Sequence, residues 1–557
     1  MVRTRGLVGL SCGLALLSVV STGFTQDIRS QDQLAMLYAP QLNFTREGDP
    51  IIRVGIVEGR DTVEFTPDRP VRVLPSGESG AQIELPAGVK YTVSVSDSTP
   101  GAYRHSVVVH RLPVAERRAA DAVVQTWTQR GYLPEVFEVG GLFAVQGKVF
   151  DSRTVLVGLG GTKSRDEAQK IKSGLETKFG VEASIHSEIT RPPGAAIHLE
   201  GAGLKVKIST RDVLTIAPLR GEENKIVYTV PDIQKSYGAG FETRRYTGSL
   251  IFAPDYNGKL VGMVSLGAER LLKGVVPAEM YASAPDAALR AQAVAARNNI
   301  FSAIGVRNLA DPFMLRGDVM DQVYGGVGVE NPRTSKAVDA TRGRVMFHGQ
   351  KIIEAVYSSN AGGFTESNEN VWDMEPRPWL RGKIDVIGAA PAAFKNGVKP
   401  NEVAAFLDAN FESPSKKASV SSSKLFRWDR VVTVDEAEAW LKENRRSVGR
   451  IKDFQVLSRG VSGRVMRLKV VGDKGETVVE RELNVRRLFG GLRSGLFVMD
   501  VQKGRSGFVE QVEFRGAGFG HGVGMCQTGA IGLAESGVDY QDILKRYYSG
   551  ISLESLY

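Results

Sequence analysis

Cysteine is nearly absent from this chain: two residues, Cys12 and Cys526, occur in 557. Cys12 lies in the N-terminal apolar segment, so a processed chain keeps one thiol and has no disulfide framework. Cys526 adjoins a glycine-rich turn and reads as a buried structural thiol rather than a nucleophile. Histidine is also scarce, at six residues. There is no long basic run, no zinc-finger spacing and no aromatic RNA-binding motif, which argues against nucleic acid as the partner. Beyond Val20 no apolar stretch is long enough to cross a bilayer, so any membrane contact is confined to an N-terminal anchor.

What is present fits a globular chain too long for one core, with about two to four domains expected. Glycine is abundant at 62 residues, which favours turn-rich β architecture, and the formal net charge of +9 suits an anionic partner. The N-terminus carries an export pattern. Arg3 and Arg5 precede the mostly apolar run Leu7 to Val20, and small residues Ser21, Thr22 and Gly23 come before polar Gln26 and Asp27. Residues 1–25 are therefore expected to be a signal peptide, with an uncleaved anchor as the alternative. The working protein is expected outside the cytoplasm.

Residues 26–47 are polar and expected to be a flexible N-terminal segment. Short strands follow over 48–103, among them Ile51 to Val57, Val71 to Leu74 and Tyr91 to Val95. Residues 104–190 read as strand, amphipathic helix (Ala115 to Arg130), strand, strand, helix (Ser164 to about Phe179) and strand. That βαββαβ order is the ferredoxin-like pattern, and by order and size the segment resembles the SPOR domain, a module that binds glycan strands. A generic α+β insertion is the alternative. From 195 to 557 strands return with isolated helices, including Pro285 to Ile304 and Ala530 to Tyr548. A polar stretch over Ser413 to Ser423 reads as a loop or linker. The fold class expected is α+β: a mixed, strand-rich catalytic domain with isolated helices, plus the inserted ferredoxin-like module.

Glu279 stands out in the run Leu271-Leu272-Lys273-Gly274-Val275-Val276-Pro277-Ala278-Glu279-Met280, just ahead of an alanine-rich helix. A carboxyl group among apolar neighbours resists ionisation and can donate a proton near neutral pH, as cleavage of a glycosidic bond requires. A helix-capping role is the ordinary alternative. Further along come Gln322-Val323-Tyr324-Gly325-Gly326, then Tyr357-Ser358-Ser359-Asn360-Ala361-Gly362-Gly363, then Pro378-Trp379-Leu380-Arg381, and last Gly518-Phe519-Gly520-His521-Gly522-Val523-Gly524-Met525-Cys526-Gln527. Taken in order, these segments resemble the stage II sporulation protein D family, also called the SpoIID/LytB or amidase-enhancer family. The resemblance covers most of residues 195–557, and the strands from Ile51 look like the family's own start, so that 104–190 is inserted.

The resemblance implies a lytic transglycosylase, or else a non-catalytic activator of a cell-wall amidase, acting on peptidoglycan glycan strands. It carries the family's catalytic glutamate onto Glu279 and a helix arginine onto Arg297. Substrate contacts are expected from Arg297, Gln292, Tyr324, Tyr357, Ser358, Trp379, Arg381 and His521, with a structural ion pair the alternative for Arg297 and a buried, hydrogen-bonded ring the alternative for His521. For the aromatics a core position is the competing reading. Gln292 and Arg297 are five apart and do not share a helix face, so at least one should serve packing. Gly362-Gly363 suggests a tight turn whose backbone approaches ligand closely. Many members carry a zinc-binding Cys and His-Cys pattern. Arg316 and Asp321 stand where its cysteines would be, so neither a metal nor any other cofactor is expected. The partners expected are glycan strands and a cell-wall amidase.

Overall fold

Strand Tyr91–Thr99 finds its antiparallel neighbour in Gly194–Gly201, with Leu199 opposite Val93 and Gly194 opposite Thr99. The chain therefore leaves one sheet at residue 99 and re-enters beside the point of departure. The computed structural model describes residues 30–557 except 40, 76, 78, 79, 180, 182, 204–206, 237, 238, 373, 421 and 422. The expected export segment 1–25 and Cys12 lie outside the described residues.

Two sheets are built jointly from the segments on either side of the excursion. A seven-stranded sheet runs, in spatial order, 315–316, 51–60, 260–267, 249–254, 214–218, 71–74 and 83–85. A six-stranded sheet runs 207–211, 194–201, 91–99, 62–67, 228–234 and 241–246. Alternating apolar residues such as Val63, Phe65, Val71 and Val73 turn inward, and one core of Ile52, Phe65, Tyr91, Ile197, Ile216, Tyr228 and Phe252 fills the space between them. Residues 48–103 and 194–267 are thus one folding unit rather than two consecutive ones. Residues 30–38, expected to be loose, form a helix; Leu34 is buried and the Leu37 carbonyl accepts from Arg53 Nη2 at 2.9 Å. The polar composition hid the few apolar side chains that dock it.

The excursion folds on its own strands. Ala102–Pro113, Pro134–Val139, Thr154–Thr162 and Ser184–Arg191 make a four-stranded antiparallel sheet in the spatial order fourth, first, third, second. Helices Ala119–Gln129 and Arg165–Phe179 bury Trp127 and Leu175 against Val107, Val155 and Val157. A hairpin, Leu142–Val145 with Lys148–Asp151, lies between the second and third strands, and its Phe143 and Phe150 join the main core. The overall class is α+β.

Helix Ala268–Glu279 follows strand Leu260–Gly267 directly, and helix Asp286–Ala303 comes next. The second helix is buried almost all round. Ala293, Ala296 and Ile300 face the two-sheet core, while Ala288, Leu289, Ala291, Val294 and Ala295 face a second core that includes Trp379, Met525 and Tyr548. Alanine is what lets both cores close on one helix, since larger side chains would hold them apart. The C-terminal half adds two three-stranded sheets around Trp428, Phe454 and Phe514. Ser413 and Ser415, in the stretch expected to be a linker, are fully buried, and the Pro414 carbonyl lies where a side chain on Gly532 would clash. The expected single tail helix is two, Gln527–Glu535 and Tyr540–Tyr547, broken at Gly537 with φ 84°. The last strand, Ser552–Ser555, returns to pair with Arg344–His348.

Arg297 is the corner where these parts join. Its guanidinium is fully buried and grips Glu269 through two hydrogen bonds of 2.7 Å. It also donates to the Arg344 carbonyl at 3.1 Å, and Glu269 accepts from the hydroxyl of Tyr557 at 2.5 Å. Burial pushes the Glu269 carboxyl up, but Arg297, the Tyr557 hydroxyl and the Gly343 amide outweigh it and hold the group below the ordinary glutamate value. An Arg297→Ala protein should lose about 3–5 kcal/mol of stability, because Glu269 would keep a buried charge without its partner. Replacing both residues with apolar ones should cost less. A melting temperature for Arg297→Ala equal to that of the parent would show that the pair carries no weight.

Candidate active site

Glu279 is the last residue of its helix, at the C-terminal end rather than before an N-terminus. It sits at the joint of the two cores: Val275 and Val276 belong to one, Met280 to the other. Pro277 is accommodated inside the helix, whose last turn closes with Met280 N donating to the Val276 carbonyl at 2.9 Å. The carboxylate is half-buried. Desolvation raises its pKa above the ordinary value of 4.5, while hydrogen bonds from the Val323 amide and the Tyr357 side chain pull the other way. The Val323 N–H reaches Oε1 at 3.3 Å. The negative end of the helix dipole acts in the same direction as burial.

Tyr357 is brought to Glu279 by a short parallel pairing in which Tyr357 lies opposite Met525 and Ser358 opposite Cys526. The same pairing delivers Gln527. Its side-chain amide donates to the Glu279 carbonyl at 2.8 Å and to Gln292 Oε1 at 3.1 Å. His521 completes the arrangement from behind. Its Nδ1 accepts the Val523 N–H at 3.0 Å, so the neutral ring carries its proton on Nε2, and that nitrogen hydrogen-bonds the Tyr357 backbone. The ring packs on Trp372 with centroids 4.7 Å apart. Burial, with Arg464 and Arg486 adding, pushes His521 down to about 3, so it works as a neutral brace for Tyr357.

The other expected contacts are placed differently. Arg297 is enclosed in its pair with Glu269 and does not face Glu279. Tyr324 is 1% exposed and packs on Tyr246, so it is a core residue with no face free for a sugar. Gln292 is fully buried and reaches the site only through Gln527; its Nε2 has no hydrogen-bond partner. Ser358 adjoins Tyr357, with a buried hydroxyl also lacking a partner. Trp379 is 5% exposed and donates to the Glu354 carbonyl at 3.2 Å. Arg381 pairs with Glu369 and donates to Asn368 at 2.6 Å, bracing its own loop. The Gly362-Gly363 turn approaches its own chain rather than a ligand: a Cβ on Gly362 would meet Ala517 at 2.9 Å. Cys526 is fully buried, and its Sγ accepts the Ala361 amide at 3.2 Å.

Sequence reasoning missed Gln527 as a site residue and Trp372 altogether. It also missed two exposed aromatics, Tyr281 (66% exposed) and Phe519 (42%), the latter bridged to Asn360. Tyr281 is two residues past Glu279, and an exposed tyrosine beside a buried acid was the available signal. In the stretch 315–324, Arg316 pairs with Glu58 and Asp311, and Asp321 accepts from Arg307 at 3.0 Å and from Asn308 at 2.8 Å. Ion pairs hold this loop together. Among the described residues no group of three or more His, Cys, Asp or Glu is placed to hold a metal ion.

The site of this α+β protein thus holds one half-buried carboxyl with a tyrosine side chain hydrogen-bonded to it and no second acid among the groups that shift it. Residues 256–348 match the family model described as stage II sporulation protein, and residues 366–524 match one described as a domain of unknown function. The chain is 29% identical over 308 residues to the amidase enhancer of Bacillus subtilis, covering 51% of this chain and 40% of that protein. It is 26% identical over 376 residues to stage II sporulation protein D of Bacillus amyloliquefaciens, covering 63% and 94%. An uncharacterised protein of Brachyspira hyodysenteriae is 28% identical over 309 residues, covering 55% and 72%. The chain thus spans less than half of the amidase enhancer's length. These likenesses support the resemblance to the SpoIID/LytB family. Tyr357 and Gln527 fall outside both matched stretches, so their place beside Glu279 rests on geometry.

Removing the Tyr357 hydroxyl takes away one of the two hydrogen bonds that favour the Glu279 carboxylate. In Tyr357→Phe the Glu279 titration midpoint, followed by carbon NMR, should move upward; a midpoint that stays or falls would show that the hydroxyl does not bond it. His521 makes a separate prediction. Unfolded, it takes a proton near 6.5; folded, only near 3. The native state is therefore favoured above pH 6.5, and that share is lost as pH falls through this window. His521→Gln should flatten part of the acid limb of the thermal stability profile, and an unchanged limb would exclude a buried neutral ring.

Proposed function

We propose that this chain is an exported lytic transglycosylase that cuts peptidoglycan glycan strands in cell-wall remodelling. The observation that carries the proposal is Glu279: one carboxyl held above its ordinary pKa by desolvation, half-open to solvent, with no second carboxylate among the groups that shift it. Hydrolysis of a glycosidic bond by the usual route needs two carboxyl groups. Transfer to the sugar's own C6 hydroxyl needs one. Glu279 gives its proton to the glycosidic oxygen as the bond to C1 breaks. The C6 hydroxyl of the same sugar then attacks C1, and its proton passes to the Glu279 carboxylate, which restores the acid and leaves a 1,6-anhydro ring. The Tyr357 hydroxyl and Val323 amide stabilise the carboxylate between the two transfers. The Gln527 amide anchors the end of the helix that carries Glu279. Tyr281 and Phe519 offer exposed rings on which sugars stack.

Segment 104–190 is assigned in the same proposal as a SPOR-like, ferredoxin-like glycan-binding module. Its sheet face opposite the two helices borders a cavity of about 690 Å³ with Arg104, Phe137 and His186 on the wall. A second reading, in which the protein binds cell wall and activates an amidase without cutting glycan, is supported by the name of the Bacillus subtilis relative. No helix among the described residues is long and apolar enough to cross a membrane.

Incubating the purified protein with glycan strands and looking for 1,6-anhydro-muramyl ends by mass spectrometry separates the readings. Wild type should form them, and Glu279→Gln should be slower by about 10²-fold or more, the share usual for a positioned acid. Formation should fall at pH values above the Glu279 pKa, where the acid is ionised. Equal product from Glu279→Gln would remove Glu279 from the mechanism, and no product from wild type would favour the activator.

A further inference from the structure

Three parts of the chain meet around a closed-in cavity of about 330 Å³. The excursion contributes Phe150, the short strand beside Arg344–His348 contributes Lys351, and the C-terminal half contributes Arg377 and Trp379. Phe150 and Trp379 are 1% and 5% exposed, so little ring face is open, and the Arg377 guanidinium carbon stands 5.8 Å from the centre of the Trp379 ring. The charge is unbalanced. Arg111, Arg307, Lys351 and Arg377 line the space against two carboxylates, Asp151 and Glu354. Both carboxylates are already engaged. Asp151 accepts from Arg153 at 2.9 and 2.8 Å, and Glu354 takes Arg307. Among the described residues neither Lys351 nor Arg377 has a carboxylate within ion-pair distance. Burial lowers the Lys351 pKa and Arg377 lowers it further, with Glu354 and Asp151 acting the other way without cancelling them.

We propose that this cavity is a second saccharide site, apart from the Glu279 cleft, which takes a sugar bearing a carboxylate. The sugar's carboxylate sits between the Lys351 ammonium and the Arg377 guanidinium. Charge-assisted bonds of this kind in a half-buried setting are among the stronger polar contacts available. The site shares Arg307 and Glu354 with a small cavity of about 60 Å³ whose wall includes Gln322, the residue before the Val323 amide that holds Glu279. The proposal rests on the reading that the substrate is a glycan. It also gives the excursion a part in binding, since Phe150 comes from its hairpin.

The test is calorimetric titration of the full chain carrying Glu279→Gln with three probes: N-acetylmuramic acid, glucuronic acid and N-acetylglucosamine. At least one of the two acids should bind, and N-acetylglucosamine, which lacks a carboxylate, should bind about tenfold more weakly or less, a difference of one charge-assisted bond. Muramic acid as the stronger ligand identifies a peptide-free glycan strand as the source; glucuronic acid identifies a uronic-acid polymer. Lys351→Gln with Arg377→Gln should weaken the acid about tenfold while leaving the melting temperature near that of the parent. The single Lys351→Met chain, which removes charge but keeps the stem, should show an intermediate loss. Failure of both acids to bind at millimolar concentration, or equal binding by the folded double variant, overturns the proposal. Acid binding that persists in a wild-type chain forming no anhydro product would remove the transglycosylase reading and leave this site standing.

Discussion

The grip of Arg297 on Glu269 lies at the centre of this structure. Glu269 begins the helix that ends at Glu279, and Arg297 is carried by the alanine-rich helix that separates the two main cores. The same cluster binds the Arg344 carbonyl and the Tyr557 hydroxyl, which ties the final strand to the middle of the chain. A buried charge is tolerable only when its partner and its remaining donors are all in place. The position of the Glu279 helix is therefore set by groups distant in sequence, and the last residue of the chain is one of them.

From that frame the site follows by short steps. The helix ends where two apolar cores meet, so its terminal carboxyl loses water on one side and keeps it on the other. A two-residue parallel pairing then brings the Tyr357 side chain to that carboxyl and the Gln527 amide to the Glu279 backbone carbonyl. Neutral His521 holds the Tyr357 backbone, and the cost of charging that ring keeps it neutral at ordinary pH. The arrangement uses one acid and supports it with uncharged donors. A nearby arginine would have favoured the carboxylate and weakened its hold on the proton. The arginine expected there is instead committed to Glu269.

The excursion at 102–191 changes the outer surface without disturbing the two sheets, because its ends are adjacent antiparallel strands. It nonetheless contributes Phe143 and Phe150 to the main core, so it is fastened to the body. The cavities along this seam are shaped by both sides, which is why neither segment read alone would reveal them.

The α+β class, the excursion and the apolar surroundings of Glu279 were legible in the sequence, since they rest on local periodicity, on apolar neighbours and on the order of short motifs. Element edges and burial were less so. Residues 30–38 looked polar because only one face of that helix docks, and Ser413 to Ser423 looked like a linker because buried serines resemble exposed ones in composition. Among the site residues, the sequence by itself determined that an acid would sit in oily surroundings, because its neighbours in the chain are also its neighbours in space. Only the tertiary structure decided who would face it. Arg297, Tyr324 and Arg381 turned to partners of their own, while Gln527 arrived from 248 positions away through a strand pairing that leaves no trace in local sequence. Burial of a side chain depends on what packs over it, and that cover comes from distant segments whose register the one-dimensional pattern does not encode.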